Sequence, residues 1–539
     1  MMQSKRYVIF ILISFAVFTI LLLFSGYFNI GLLSDDYMNF FDAAHSTLTQ
    51  KFTGSLPFTN PSHFRPAYYV SLQVSLFLHD VFGFKYDNFV FYRVQNLVIF
   101  FIIAFLGGLI VLHETKKTFP AVIAALAVIL FPNNINNICW TAGRVDLLCG
   151  MFYLAAFYFS IRYLDKPSKQ RLIPASLLFI LALMSKETAL TFPFVLVIYL
   201  LFMKGADGTK RYKYLPITMF AVLVIYLLYR YAVLNAGYTR YYEISYLSVL
   251  LKSAVSLIIP LDYLTLKSQI LSGNILLIIY IAVLTAGFIL LIYSLIKKNS
   301  YKPFLVLISL AVILLSPYLY AGYIRPQMIL IPFALIIIFL ILSLNSLGIL
   351  NRGNFSRSLT VLIILLFAFW IYYSEGTICD WNYSYISSRE RMDNLLNVTL
   401  NADRNTIIIG NAGRFRQSFL FDKLTGAYGF WKNKKFAIND TINDIVQTGA
   451  LDENSLNSKL VYKVLQPGEY EISATGSTQY FYMEGFDDDK TKWQFTNKDM
   501  SVKAIGYSQL NKPNRIILKV LSENADCYLA DGKNFIKIY

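Results

Sequence analysis

Apolar runs of about 20 residues recur along this chain, separated by short connections in which Lys and Arg cluster. A helix needs roughly 20 apolar residues to cross a bilayer, and a lipid core forces every spanning backbone to satisfy its own hydrogen bonds. The pattern therefore predicts a polytopic α-helical membrane protein. Composition agrees: 56% of the 539 residues are hydrophobic, only 15% are charged, and the mean hydropathy is +0.52. The net charge of +16 does not point to nucleic acid. Basic residues between apolar runs fix orientation and face anionic headgroups of membrane lipids, and no nucleic-acid-binding motif accompanies them.

Read in order, the runs give eleven spans. Lys5 and Arg6 precede the first, about 7 to 30, read as an uncleaved anchor with its N-terminus in the cytoplasm. An external loop, 31–88, contains an apolar helix over Ala67 to Phe82 expected to lie in the interface. Further spans run from about Phe89 to His113, Phe119 to Ile138 and Val145 to Leu164. A short fifth and sixth flank Ser185-Lys186-Glu187, and a seventh ends near Asn235. A second external stretch, 236–272, carries another interfacial helix, Ile244 to Ile259. The eighth span reaches Lys297-Lys298, and the last three cover about Pro303 to Ala321, Pro326 to Leu347 and Leu359 to Tyr373.

Residues 1–374 thus form a transmembrane domain, and 375–539 an external soluble domain of α/β or mostly β type. Residues 388 to 400 read as a helix there and Thr406 to Gly410 as a buried strand. Gly468 to Ala474, Gln479 to Met483 and Arg515 to Val520 read as further strands between turns. Cys139 and Cys149 are close enough in sequence to pair or to stay buried thiols, and no cysteine or histidine spacing fits a metal site.

In this topology the basic clusters fall on the cytoplasmic side. The unusual polar groups fall on the other: Asp35-Asp36, His63 and Arg65, Arg144 and Asp146, Lys186-Glu187, and Arg325. Ionisable residues near the bilayer are costly and mark sites, so one external polar site follows. Each cluster also has a purely structural reading. Asp35-Asp36 can end a helix, Arg65-Pro66 can begin one, and Arg144 with Asp146 can cap a helix end. Lys186-Glu187 can be an ion pair between spans, and Arg325 can snorkel to the interface.

The motifs run in a fixed order: Ser34-Asp35-Asp36-Tyr37, Phe64-Arg65-Pro66, Tyr92-Arg93-Val94-Gln95-Asn96, Trp140-Thr-Ala-Gly-Arg144-Val-Asp146-Leu-Leu and Ser185-Lys186-Glu187-Thr-Ala. This order resembles the GT-C class of polytopic glycosyltransferases, over roughly residues 1 to 350. The similarity is greatest to protein O-mannosyltransferase relatives and to the membrane core of TPR-bearing O-mannosyltransferases. Ile99 and Phe100 stand where the TPR-bearing relatives often have a histidine, and a different domain replaces the TPR array.

The resemblance implies transfer of a sugar from a polyprenyl-phosphate donor to a protein, lipid or glycan acceptor outside the cytoplasm. It implies Asp35 as the base of a single inverting displacement, with Asp36 orienting it, touching the acceptor or helping to hold a divalent ion. A carboxylate suits that role, because an acceptor hydroxyl must lose its proton as it attacks. The departing lipid phosphate calls for positive charge, with Arg325, Arg144, Lys186 and Arg65 as candidates. Asp146, Glu187, His63 and Asn96 are expected to support them. No cofactor is required; Mg²⁺ or Mn²⁺ is compatible with Asp35 and Asp36, though two carboxylates do not make a metal site. A bacterial inner membrane is preferred, with the ER membrane for a eukaryotic host. The competing classes are a transporter or lipid flippase and a non-catalytic envelope scaffold. No inverted repeat with broken helices supports the former, and the latter leaves the one-sided polar clusters unexplained.

Overall fold

The computed structural model describes residues 2–59, 63–203, 205, 212–234, 246–261, 263–297, 301–348, 353–398, 404–416, 418–421, 423–448, 450, 452–476, 479–482, 494–507 and 512–539. The chain divides into two compact units. The first comprises Met1–Ser25, Ser46–Val74 and Phe91–Ile378; the second comprises Gly26–His45, Ser75–Val90 and Cys379–Tyr539.

The first unit is helical and belongs in a membrane. Among the described residues seven helices are long and apolar enough to span a bilayer, or up to nine if two bent pairs each count as one span. This is fewer than the eleven expected. The difference arises partly where the chain breaks its helices. The helix Thr118–Leu130 ends before Pro132, and the following helix Pro132–Cys139 leaves at 58°. The expected third span through Ile138 therefore stops at Leu130. Lys169–Leu183 and Phe192–Met203, flanking the Lys186 turn, have 15 and 12 residues and fall short of the length that a span needs. The eighth expected span is present as one helix of 23 residues, Ile275–Lys297, which turns by 104° from the short helix Tyr263–Leu271 before it. The helix expected over Ala67 to Phe82 is present as Pro66–Val81. Of the second, Ile244 to Ile259, residues Tyr246–Ile258 form a helix, and Ile244 lies outside the described residues. The region read as a loop at 31–88 also contains the helices Asp36–His45 and Leu48–Thr53.

The last apolar helix does not end near Tyr373. Gly353–Asn397 is one helix of 45 residues, so the helix expected at 388 to 400 is its continuation as far as Asn397, and residues 399 and 400 lie outside the described residues. A helix propagates cheaply once nucleated, and no proline or glycine pair interrupts it after Gly376.

The second unit is built on two five-stranded sheets. One runs in the order Asn534–Lys537, Ala525–Asp531, Asn405–Ala412, Ile442–Thr448 and Tyr480–Tyr482, with its three central strands parallel. The other, Val461–Gln466, Glu469–Ser473, Pro513–Val520, Met500–Tyr507 and Gln494–Thr496, is antiparallel throughout. The central strand Asn405–Ala412 is buried on both faces, as the uninterrupted Thr406-Ile-Ile-Ile-Gly410 run predicts for parallel pairing. Ile407, Ile409, Ile472, Val502, Ile516, Leu518 and Leu529 fill one core. The segments around Ile472, Phe481 and Leu518 are strands as expected; Met483 lies outside the described residues.

Candidate functional site

In the first unit, residues far apart in sequence converge on a cavity of about 470 Å³. Its polar wall is made by His63, Arg65, Lys186 and Glu187, and much of the rest is apolar or tyrosine, including Tyr318 and Tyr323. Arg65 enters at the start of the helix Pro66–Val81. That start is tied down by the Ala67 amide, which donates to the Met184 carbonyl at 3.1 Å. Lys186 is the extended residue before the 3₁₀ turn Glu187–Thr191, so Lys186 and Glu187 point from a tight turn between two short helices.

The charges are arranged in two groups. Glu187 accepts from Arg65 at 3.4 Å and lies 4.0 Å from Arg230, whose side chain is 2% exposed. Lys186 donates to Asp146 at 2.6 Å in a pair that is almost wholly buried. Among the described residues, Arg65, Arg230 and Lys186 thus face Glu187 and Asp146, and Arg65 and Lys186 line an otherwise largely apolar cavity. An anion with a greasy tail is the ligand such a wall suits.

Arg144 is buried two residues before Asp146 and is fixed rather than presented. Its Nε donates to Asn96 Oδ1 at 2.7 Å and its Nη2 to Gln95 Oε1 at 3.0 Å. Arg93, next to them, donates to the Ile138 carbonyl at 3.1 Å and to that of Cys139. The turn before Arg144 requires Gly143, because a Cβ there would lie 2.5 Å from the Asn137 carbonyl oxygen. Asn133 to Asn137, at the end of the expected third span, are helical and buried, with Asn133 donating to Ser256 and Ile259 carbonyls and Asn137 to that of Gln327. Arg325 stacks over Tyr323 at 5.7 Å. Cys139 and Cys149 are both buried and form no disulfide.

Asp35 and Asp36 belong to the second unit, and the other sequence candidates to the first. The two carboxylates have different surroundings. Asp36 is buried and accepts the Leu33 amide at 2.9 Å, closing the turn that starts its helix. Asp35 is about one-third exposed and pairs with Lys423 at 3.0 Å. Ser34, just before them, sits at φ 52°, a left-handed conformation that a non-glycine residue adopts at a cost. Tyr37, just after, is buried; its hydroxyl donates to the Leu32 carbonyl at 3.1 Å and accepts from the Trp431 indole at 3.0 Å. Burial, then the neighbouring Tyr385, pushes the Tyr37 hydroxyl well above the usual tyrosine range. Among the described residues no three His, Cys, Asp or Glu side chains gather as a metal site.

Arg230 and Lys423 were not among the sequence candidates. Arg230 had a signal, a lone arginine inside the apolar run Tyr214–Leu234. Lys423 had none, since its partner is nearly 400 residues away.

Residues 89–229 match the family model described as dolichyl-phosphate-mannose-protein mannosyltransferase. Among solved structures, the chain is similar to ArnT from Cupriavidus metallidurans, solved bound to undecaprenyl phosphate. The TM-score is 0.41 at 10% identity, covering 95% of this chain and 98% of that one. No curated protein matches the sequence.

Proposed function

Taking the chain as a GT-C-like membrane glycosyltransferase on its match over residues 89–229, we propose that it transfers a sugar from a polyprenyl-phosphate donor to an acceptor hydroxyl on the non-cytoplasmic face. The observation that carries the donor assignment is the cavity of the first unit, where Arg65 and Lys186 stand beside an apolar and tyrosine-rich wall. The guanidinium of Arg65 and the ammonium of Lys186 meet the phosphate, and the apolar wall takes the first isoprene units.

The reaction is one displacement. The acceptor oxygen bonds to the anomeric carbon as its proton passes to Asp35. The bond from that carbon to the phosphate oxygen breaks, and its electron pair leaves with the polyprenyl phosphate. Asp36 shapes the turn that presents Asp35, and no step requires a metal ion. Arg144, Asn96 and Asp146 position the elements that carry the cavity wall. Arg325 is a further phosphate ligand. The basic connections support an N-terminus in the cytoplasm and a reaction outside it, in a bacterial inner membrane by preference.

Purified protein in lipid discs, given a panel of radiolabelled polyprenyl-phosphate sugars and an acceptor-rich membrane extract, tests this reading. Release of free polyprenyl phosphate from one donor supports it. Failure to turn over any donor by folded protein contradicts it and favours a transporter or scaffold.

A further inference from the structure

The second unit groups the Asp35 loop with the C-terminal domain. The loop that carries Asp35 is fastened at several points by the segment 418–436, nearly 400 residues later. The Ser34 amide donates to the Leu420 carbonyl at 3.0 Å. Tyr37 packs edge-on against Phe421, ring centres 5.4 Å apart, and accepts from Trp431. Phe40 stacks on Phe436 at 4.9 Å. Gly426 approaches so closely that a Cβ there would lie 2.8 Å from the Met38 sulfur. A left-handed serine persists when its surroundings over-determine it, and these contacts surround Ser34.

Within this clamp one interaction is unlike the rest. Lys423, the residue before the helix Leu424–Asn433, brings its ammonium to 3.0 Å from Asp35 Oδ1, and both side chains are 35% exposed. A pair this exposed contributes little to stability. Its exposure also leaves the carboxylate within reach of a substrate.

We propose that Lys423 is a positioning residue for Asp35, so that the C-terminal domain completes the catalytic apparatus. This rests on Asp35 being the base. The ammonium holds Oδ1 and so fixes the orientation of the carboxylate. The acceptor proton goes to Oδ2, and Lys423 keeps its own protons throughout.

The test compares wild type, Lys423→Gln and Lys423→Arg in two assays. In the transfer assay, Lys423→Gln lowers kcat by roughly ten- to a hundredfold, the scale expected for a misplaced catalytic group. The donor KM and the melting temperature are unchanged, and Lys423→Arg restores most of the rate. Combining Lys423→Gln with Asp35→Asn adds no further loss, as two residues acting through one group must behave.

The second assay needs no activity. Carbodiimide labels accessible carboxyls, and Lys423 covers Oδ1 of Asp35, so Asp35 in Lys423→Gln is labelled faster than in wild type, as read by peptide mass spectrometry. Equal labelling overturns the pairing. Active wild type with an undiminished Lys423→Gln overturns the role while leaving the transferase reading intact. An equal loss of rate and melting temperature in both Lys423 variants assigns the residue to structure alone. An inactive wild type with faster labelling in Lys423→Gln removes the transferase reading, and the catalytic role with it, but keeps the pair.

Discussion

Lys186 and Asp146 form an ion pair at 2.6 Å with only 8% and 7% of their side chains exposed. Removing one member of a buried pair strands the other and typically costs 3–5 kcal/mol, whereas replacing both with apolar residues of similar volume is often neutral. Asp146→Asn should therefore lower the thermal stability of the purified protein by about that amount. The double variant Lys186→Met, Asp146→Leu should recover most of it while remaining poor in donor binding. Equal stability of Asp146→Asn and wild type would show that the pair is not buried in the folded protein.

Arg65 and Arg230 share Glu187 but differ in exposure, 23% against 2%. Arg65→Met should raise the donor KM about tenfold or more, the loss of roughly one charge-assisted contact, with little change in melting temperature. Arg230→Met should act mainly on stability, since it unburdens Glu187 of a fully covered partner. The reverse pattern would move the phosphate contact from Arg65 to Arg230.

Tyr37 links the Asp35 loop to Trp431, and its hydroxyl titrates well above the usual range because of burial. The unfolded chain releases this proton near pH ~10. The folded state holds it longer, so the contribution is complete below that pH and declines as pH rises above it. Tyr37→Phe should cost about 1–3 kcal/mol by leaving the Trp431 indole N–H buried without an acceptor. It should also flatten the alkaline limb of stability against pH, measured by denaturant unfolding from pH 7 to 11. An unchanged limb would assign that titration to other groups.

How much of this was legible in the sequence depends on whether a feature is local. Val90–Thr115, Lys302–Ala321 and the strand Asn405–Ala412 could be read because an apolar run of given length has few physical outcomes. The break after Leu130 was not legible in the run from Phe119 to Ile138. Here Pro132 opens a helix, and its asparagines meet carbonyls from other segments. The motif Ser185-Lys186-Glu187 was legible as a site, but its partners Asp146, Arg65 and Arg230 come from separate elements. Membership of the Asp35 loop in the same unit as Lys423 and Trp431 has no local signal at all.

The proposed displacement uses no metal. Turnover should be unchanged by EDTA and by added Mg²⁺ or Mn²⁺. Loss of activity on chelation, restored by one of these ions, would instead give Asp35 and Asp36 a share in holding it, a role that two carboxylates alone do not specify.

The most direct measurement is release of polyprenyl phosphate from a radiolabelled donor by wild type and by Asp35→Asn, side by side in lipid discs. Asp35→Asn keeps the size of the side chain and the fold of its loop, and removes the base. The account predicts turnover by wild type and a fall of about 10²–10⁴-fold in kcat for the variant, with the donor still bound. Equal rates for the two proteins would contradict it and exclude Asp35 as the base.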